Sequence, residues 1–256
     1  MGKVIDIHVH IGQDHEQVYT AEKAIKLMDK NGIDYAVISP VPAYPLPYGV
    51  KSTMEQNDRI MAALEKYPDR FIRGLGVVGP RHGEAALSEV DRIFSELGLN
   101  GLLFSNDKTG LTFDNPIMIK FIEKASEYDN PIIMAYTSQY SVLEAPFMLR
   151  KVAEKFPGLT FINGSAMKDT THSNNSRYIS SCLDNVFLDT ANMHQLMSPV
   201  EWAIRDSGVE KILFGSNIPF CDTVSGIDII EGADITKEDK EKIYYENAAR
   251  IFRFDS

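Results

Sequence analysis

The feature that most constrains this chain is an alternation. Short runs rich in β-branched and aromatic residues trade places with stretches of helical periodicity, and they do so eight times. Strands are expected at Val4–His10, Ile33–Ser39, Phe71–Val78, Gly101–Ser105, Pro131–Ala135, Thr160–Asn163, Val186–Asp189 and Lys211–Phe214. Helices are expected at Ala21–Asn31, Met54–Tyr67, Glu84–Leu97, Pro116–Tyr128, Val142–Phe156, Asn175–Leu183, Pro199–Asp206 and Lys237–Phe252. The punctuation agrees. Thr236 with Asp239 forms a carboxylate variant of the capping box, Thr20 precedes Ala21-Glu22 in the same manner, and Gly32 and Gly98 follow helix ends. Eight βα units in 256 residues predict one α/β domain over residues 1–256, a (β/α)8 TIM barrel. The competing open doubly wound sheet calls for a glycine-rich fingerprint after its first strand, and Ile11-Gly12-Gln13-Asp14 lacks it. The longest irregular piece, Pro40–Ser52 with four prolines, is expected either as a rim loop over the strand ends or as a stiff surface connection.

Composition narrows the partners. A net charge of −10 spread along the chain offers no basic surface for nucleic acid. No apolar run reaches the ~20 residues a membrane span needs. The amino terminus enters strand-like sequence without an apolar secretory segment. Cys182 and Cys221 are far apart and form no C-x-x-C motif, so a reduced, cytoplasmic protein without a disulfide framework is expected. The partner expected is a small-molecule substrate, with a homodimer as the expected assembly.

The chemistry gathers at one end. Asp6-Ile7-His8-Val9-His10 lies in the first expected strand, and regular alternation turns Asp6, His8 and His10 one way and Ile5, Ile7 and Val9 the other. Two imidazoles roughly 6.6 Å apart along a strand can converge on one metal ion or one anionic group. All six histidines (8, 10, 15, 82, 172 and 194) fall at a strand's carboxyl end or in the loop after it, none inside an expected helix. In a barrel those positions share the face where active sites are built. That loops are polar and collect histidines anyway does not explain why the opposite loops have none. A structural polar cluster remains the alternative for the first-strand pair, since three inward polar side chains need compensating partners.

At these residues the chain resembles the amidohydrolase superfamily, in its amidohydrolase-related branch of metal-dependent hydrolases, non-oxidative decarboxylases and lactonases. The likeness rests on the Asp6–His10 opening, Pro131-Ile132-Ile133-Met134, Phe156-Pro157-Gly158-Leu159, Ile212–Pro219 and Glu246–Phe252. It implies a divalent metal, zinc being the expected ion, held by His8 and His10. It also implies a histidine ending the fifth strand, often another ending the sixth, and an aspartate ending the eighth that handles the proton of an attacking water. Here the fifth-strand position falls at Ala135 or Tyr136, the sixth near Ser165, and the aspartate is Asn217. Alanine has no lone pair, a serine hydroxyl is a poor zinc ligand, and neutral asparagine takes no proton from water near pH 7. The metal site is therefore expected to be partly lost.

Catalytic roles are expected for His8, His10 and Asn217, and metal contact for His8 and His10. Substrate contacts are expected from Tyr136, Ser165, His172, His194 and Asp222. Asp14 and His15 are further replacement groups, and Asp189 reads as a structural or orienting carboxylate. Arg81, His82 and Arg177 are cations that an acidic substrate could meet, though a solvated surface fits each as well, and Tyr44, Tyr48 and Phe220 are candidate rim aromatics. Two functions follow. One is an amidohydrolase-type hydrolase, or a related lactonase or decarboxylase, acting on a small, polar, carboxylate-bearing molecule through a non-standard site. The other is a non-catalytic barrel of the same family with a ligand-binding or structural role, motivated by Ala135, Ser165 and Asn217.

Overall fold

The computed structural model describes residues 2–14, 17–42, 49–193, 198–221 and 223–255, with Ser225 described by its backbone alone. All eight expected strands form: β1 Ile5–Gln13, β3 Tyr35–Pro40, β4 Phe71–Gly76, β5 Gly101–Phe104, β6 Ile132–Tyr136, β7 Thr160–Gly164, β8 Val186–Asp189 and β9 Ile212–Leu213. A short β2, Val18–Tyr19, pairs antiparallel with the end of β1. The sheet order is β2-β1-β3-β4-β5-β6-β7-β8-β9, parallel apart from β2. The sheet curls, so that the chain past β9 comes back to β1. Ile7 donates its N–H to Phe214 O (3.0 Å), His10 donates to Ile218 O (2.8 Å), and Val9 bridges Ile218 in parallel. Among the described residues no helix is long and apolar enough to cross a membrane.

Helices between the strands follow local chemistry, with departures from the expected bounds. The expected helix Val142–Phe156 divides into a 3-10 turn, Val142–Glu144, and a helix, Pro146–Lys155, because Pro146 has no N–H and starts a helix more easily than it continues one. The helix expected at Asn175–Leu183 runs Thr170–Cys182 instead. Asp169 caps it, its side chain accepting the His172 N–H at 3.0 Å. His172 therefore lies in a helix, contrary to the expectation that no histidine would. The Thr236–Asp239 capping box forms in both directions, and the last helical stretch contains a π turn at Lys242–Glu246.

Two apolar clusters cover the two faces of the sheet. Ile5, Ile7, Val37, Leu103, Met134, Ile162, Phe187 and Leu213 pack together on the concave face, with Ala248, Ile251 and Phe252 of the last helix. Val9 and Ile11 belong instead to the larger cluster between sheet and helices. The strict alternation expected along β1 is thus broken. Ile5 and Ile7 face inward, Val9 and Ile11 outward, and the pairing with β3 shifts register between Asp6 and Val9. A bulge at this point sets the aim of the two histidines that follow it.

Candidate active site at the carboxyl ends of the strands

His8 and His10 converge. Their ring centroids are 4.9 Å apart and nearly perpendicular, and both Nε2 atoms meet the hydroxyl of Tyr136, the last residue of β6. The His10 contact is 2.6 Å. Behind the rings, His8 Nδ1 lies 2.5 Å from Asp189 Oδ2, and His10 Nδ1 lies 2.9 Å from Ser39 Oγ. The result is one unbroken chain: Asp189, His8, Tyr136, His10, Ser39. A hydroxyl has a single proton, so one Nε2 accepts it while the other donates an N–H to the oxygen. A proton entering at Ser39 Oγ and relayed along the chain would reverse every bond and leave Asp189 protonated, with no heavy atom moved.

The environment fixes these groups. Asp189, at the end of β8, also accepts the N–H of Ser165 (3.0 Å) and of Ala191 (2.9 Å). Gly215 makes room for it, because a Cβ there would collide with Asp189 Oδ1 and stand 2.8 Å from His8 Cβ. Burial pushes the His10 imidazole well below its ordinary range, and the neighbouring charge of His8 pushes the same way. Burial likewise holds the Tyr136 phenol well above its ordinary range, with the negative charge of Asp189 adding to the effect. Asp6 is pushed up to about 6 by burial, against hydrogen bonds from Ser216 and His8 that lower it. Its Oδ1 accepts the N–H groups of His8 (2.9 Å) and Ser216 (3.0 Å). Asp6 therefore ties β1 to the segment after β9, beneath the histidines.

Above Tyr136 opens a cleft of about 630 Å³, within the range of small-molecule sites. Its lining includes Tyr136, Ser165, Lys168, Asn192, Asn217, Phe220 and Lys108, and also the carboxylates Asp14, Asp107 and Glu144. His8 and His10 do not line it; each is 1% exposed and sits under Tyr136. Six non-glycine residues among those described have left-handed backbone, and three of them, Ser165, Asn192 and Asn217, stand on this wall. Their side chains interlock. Asn192 donates to Ser165 Oγ (2.7 Å), Asn217 Nδ2 donates to Asn192 Oδ1 (3.4 Å), and the Cys221 thiol also donates to Asn192 Oδ1. Asn217 is buried; its Oδ1 has no partner of full hydrogen-bond geometry among the described residues, and its side chain acts on the His10 imidazole in the direction that raises its pKa.

Several expected groups stand elsewhere. His172 is fully buried behind Thr137, whose hydroxyl is 3.0 Å from its Nε2, and is absent from the cleft wall. Arg177 pairs with Asp206 and lies over the Trp202 ring, away from the cleft. Arg81 donates to the backbone of Thr109 (2.6 Å) and Gly110 (2.7 Å), and with His82 it lines a neighbouring groove. Asp14 and Phe220 do reach the cleft, Phe220 with its ring 5.7 Å from that of His10. His15, His194, Asp222, Tyr44 and Tyr48 lie outside the described residues. Sequence reasoning passed over Lys168, Asn192 and Ser39. Ser39 had a signal, as the last residue of an expected strand, whereas a lysine and an asparagine in loops had none.

Residues 5–164 and 188–254 match the sequence profile of the amidohydrolase family. The chain belongs to that family. Among curated relatives, the gamma-resorcylate decarboxylase of a Polaromonas species is 23% identical over 91% of this chain and 87% of its own length. The 2,6-dihydroxybenzoate decarboxylase from Rhizobium superposes with a TM-score of 0.79 at 19% identity, covering all of both chains. A dihydroxybenzoic acid decarboxylase from Polaromonas, solved with manganese and the inhibitor 2-nitroresorcinol, gives 0.75 at 18% identity over 100% of this chain and 98% of that one. In this amidohydrolase the donors do not fit such an ion. The point where two imidazole lone pairs meet is filled by a phenol oxygen, and among the described residues no three His, Cys, Asp or Glu side chains are grouped to hold a metal.

Proposed function

We propose that this amidohydrolase binds a small hydroxylated aromatic carboxylate in the cleft above Tyr136 and removes the carboxylate non-oxidatively. One observation carries the reading: the cleft over Tyr136 sets the ammonium of Lys168, which makes no ion pair among the described residues, on the same wall as the amide of Asn217 and the rings of Tyr136 and Phe220. The amide of Asn217 suits a hydroxyl group, the ammonium a carboxylate, and the rings of Tyr136 and Phe220 a flat apolar body. A hydroxybenzoate has all three. The names of the relatives support the same class.

The reaction balances simply. The bond between ring carbon and carboxylate breaks, carbon dioxide leaves, and the electron pair left on the ring takes one proton. Lys168 binds the anion, Asn217 positions the ring through its hydroxyl, and the proton comes through Tyr136, the one member of the chain Asp189, His8, Tyr136, His10, Ser39 that lines the cleft. Hydrolysis is less well supported, because Asn217 cannot serve as the base that activates water. The parallel strands, with β1 hydrogen-bonded to Phe214 and Ile218, support a closed (β/α)8 barrel as the frame.

The test is incubation with 2,6-dihydroxybenzoate and 5-carboxyvanillate, following the decarboxylated phenol by chromatography and released carbon dioxide. Turnover that falls at least about a hundredfold in Tyr136→Phe is expected. Tight binding of either acid without turnover would favour the non-catalytic barrel. Neither binding nor turnover would remove the substrate assignment.

A further inference from the structure

We infer that the hydroxyl of Tyr136 replaces the divalent metal ion between His8 and His10, and that the site works without one. The inference does not depend on the substrate proposed above.

It rests on position. A zinc ion shared by two imidazoles stands about 2.0–2.1 Å from each nitrogen. The phenol oxygen is 2.6 Å from His10 Nε2 and in hydrogen-bond contact with His8 Nε2. Ion and oxygen therefore claim the same space, and one excludes the other. Nor can the phenol act as a third ligand from where it stands. A ligand must lie beyond the ion as seen from the nitrogens, and this oxygen lies against them.

The rings do not turn aside to open a second point of convergence. Asp189 holds His8 at Nδ1 and Ser39 holds His10 at Nδ1. Such outer partners are what metal-ligating histidines carry, so the cradle persists while its contents have changed. Among the described residues, Asp189 at the end of β8 is taken up by His8 Nδ1, and the other neighbouring strand ends supply no substitute donor. Ala135 is aliphatic, the Ser165 hydroxyl is engaged by Asn192, and Asn217 presents a neutral amide. The hydroxyl meets the needs of both imidazoles at once, since it can donate to one and accept from the other. It closes the two rings into the Asp189-to-Ser39 chain.

The experiment is metal binding by calorimetry and by elemental analysis. Wild type, Tyr136→His and Tyr136→Ala are each treated with chelator, desalted, and titrated with manganese and with zinc. The wild type is expected to bind neither at this site. Tyr136→His, which supplies a third imidazole, or Tyr136→Ala, which vacates the space, is expected to bind zinc stoichiometrically and to lose it when His10→Ala is added. Stoichiometric binding by the wild type that disappears in His8→Ala overturns the inference. So does failure of both folded variants to bind, since the phenol would then not be what keeps the ion out. Should neither variant fold, the nitrogen resonances of His8 and His10 in the wild type decide: unchanged on adding zinc, the inference stands; shifted, it falls.

Discussion

His172 allows a quantitative test of how this fold responds to acid. Its side chain is fully buried, with Nε2 against the Thr137 hydroxyl and Nδ1 without a partner of full hydrogen-bond geometry among the described residues. Burial lowers its pKa from 6.5 to about 4; the nearby positive charge of Lys168 acts in the same direction, and Asp169 and the Ser165 backbone act against it. In the unfolded chain the imidazole titrates near its ordinary value, so on acidification the unfolded state takes up the proton first. The full stability is present above pH 6.5, is lost progressively as the pH falls towards about 4, and falls no further below that. A gap of about 2.5 units at 1.36 kcal/mol per unit makes the loss about 3 kcal/mol. Asp6 works in the opposite sense over nearly the same window. Its pKa is raised from 3.8 to about 6, so acid relieves a buried charge and favours the folded state. The wild-type curve alone therefore understates the effect. The decisive quantity is the difference between wild type and His172→Gln, in which Asp6 cancels. Urea denaturation of both proteins at several pH values from 7 down to 4 measures it. The variant, whose amide can still reach Thr137, should gain about 3 kcal/mol relative to wild type across that range. A difference that stays flat with pH would show that His172 is protonated in the folded protein or has water beside it, and the reasoning from burial would fail.

Three further outcomes are expected. Gly215→Ala should cost about 1–3 kcal/mol by overpacking and should also abolish turnover, because the added methyl displaces Asp189 from His8; denaturation and initial rates read the two effects separately. Lys168→Met should raise KM for an aromatic carboxylate about tenfold, as expected for the loss of one charge-assisted contact, with kcat little changed. Asn57 is buried, accepts the Val77 N–H (2.8 Å), and donates to Val77 O (2.9 Å) and Glu89 Oε1 (2.8 Å). Asn57→Ala should therefore cost about 3 kcal/mol in thermal or chemical unfolding, and an effect near zero would mean that water restores those bonds.

Much of the fold was legible because strand and helix periods are local properties of the chain. Every expected strand is present, since each is a short apolar run bounded by breakers, and a parallel strand buried on both faces reads that way. The departures occur where one side chain overrides the pattern. Asp169 starts its helix five residues before the apolar periodicity begins, by accepting the His172 N–H, and Pro146 divides a stretch whose periodicity is continuous. The bulge in β1 left no trace in composition. It follows from pairing with β3, a partner some thirty residues away, and it defeats the period-2 reading of Asp6 through Val9.

The site was legible in its members more than in its logic. His8, His10, Tyr136, Ser165 and Asn217 could be named from strand ends, and the structure does bring them to one end of the sheet. What sequence could not show is which of them face the cleft. Tyr136 could be counted only as a place where a histidine was missing. In three dimensions a tyrosine reaches farther than a histidine from the same strand end, far enough for its oxygen to meet both imidazoles while its ring forms the cleft floor. That one length difference has two consequences: it fills the space between the imidazoles, and it withdraws both of them from solvent. The polar residues on the cleft wall then include Lys168, Asn192 and Asn217, two of which hold left-handed backbone that only the folded chain reveals. On the inference drawn above, a tyrosine at position 136 and an asparagine at position 217 belong together. With the phenol in place of an ion between His8 and His10, an aspartate at position 217 would have no metal-bound water to deprotonate, and a neutral amide there avoids burying a further carboxylate.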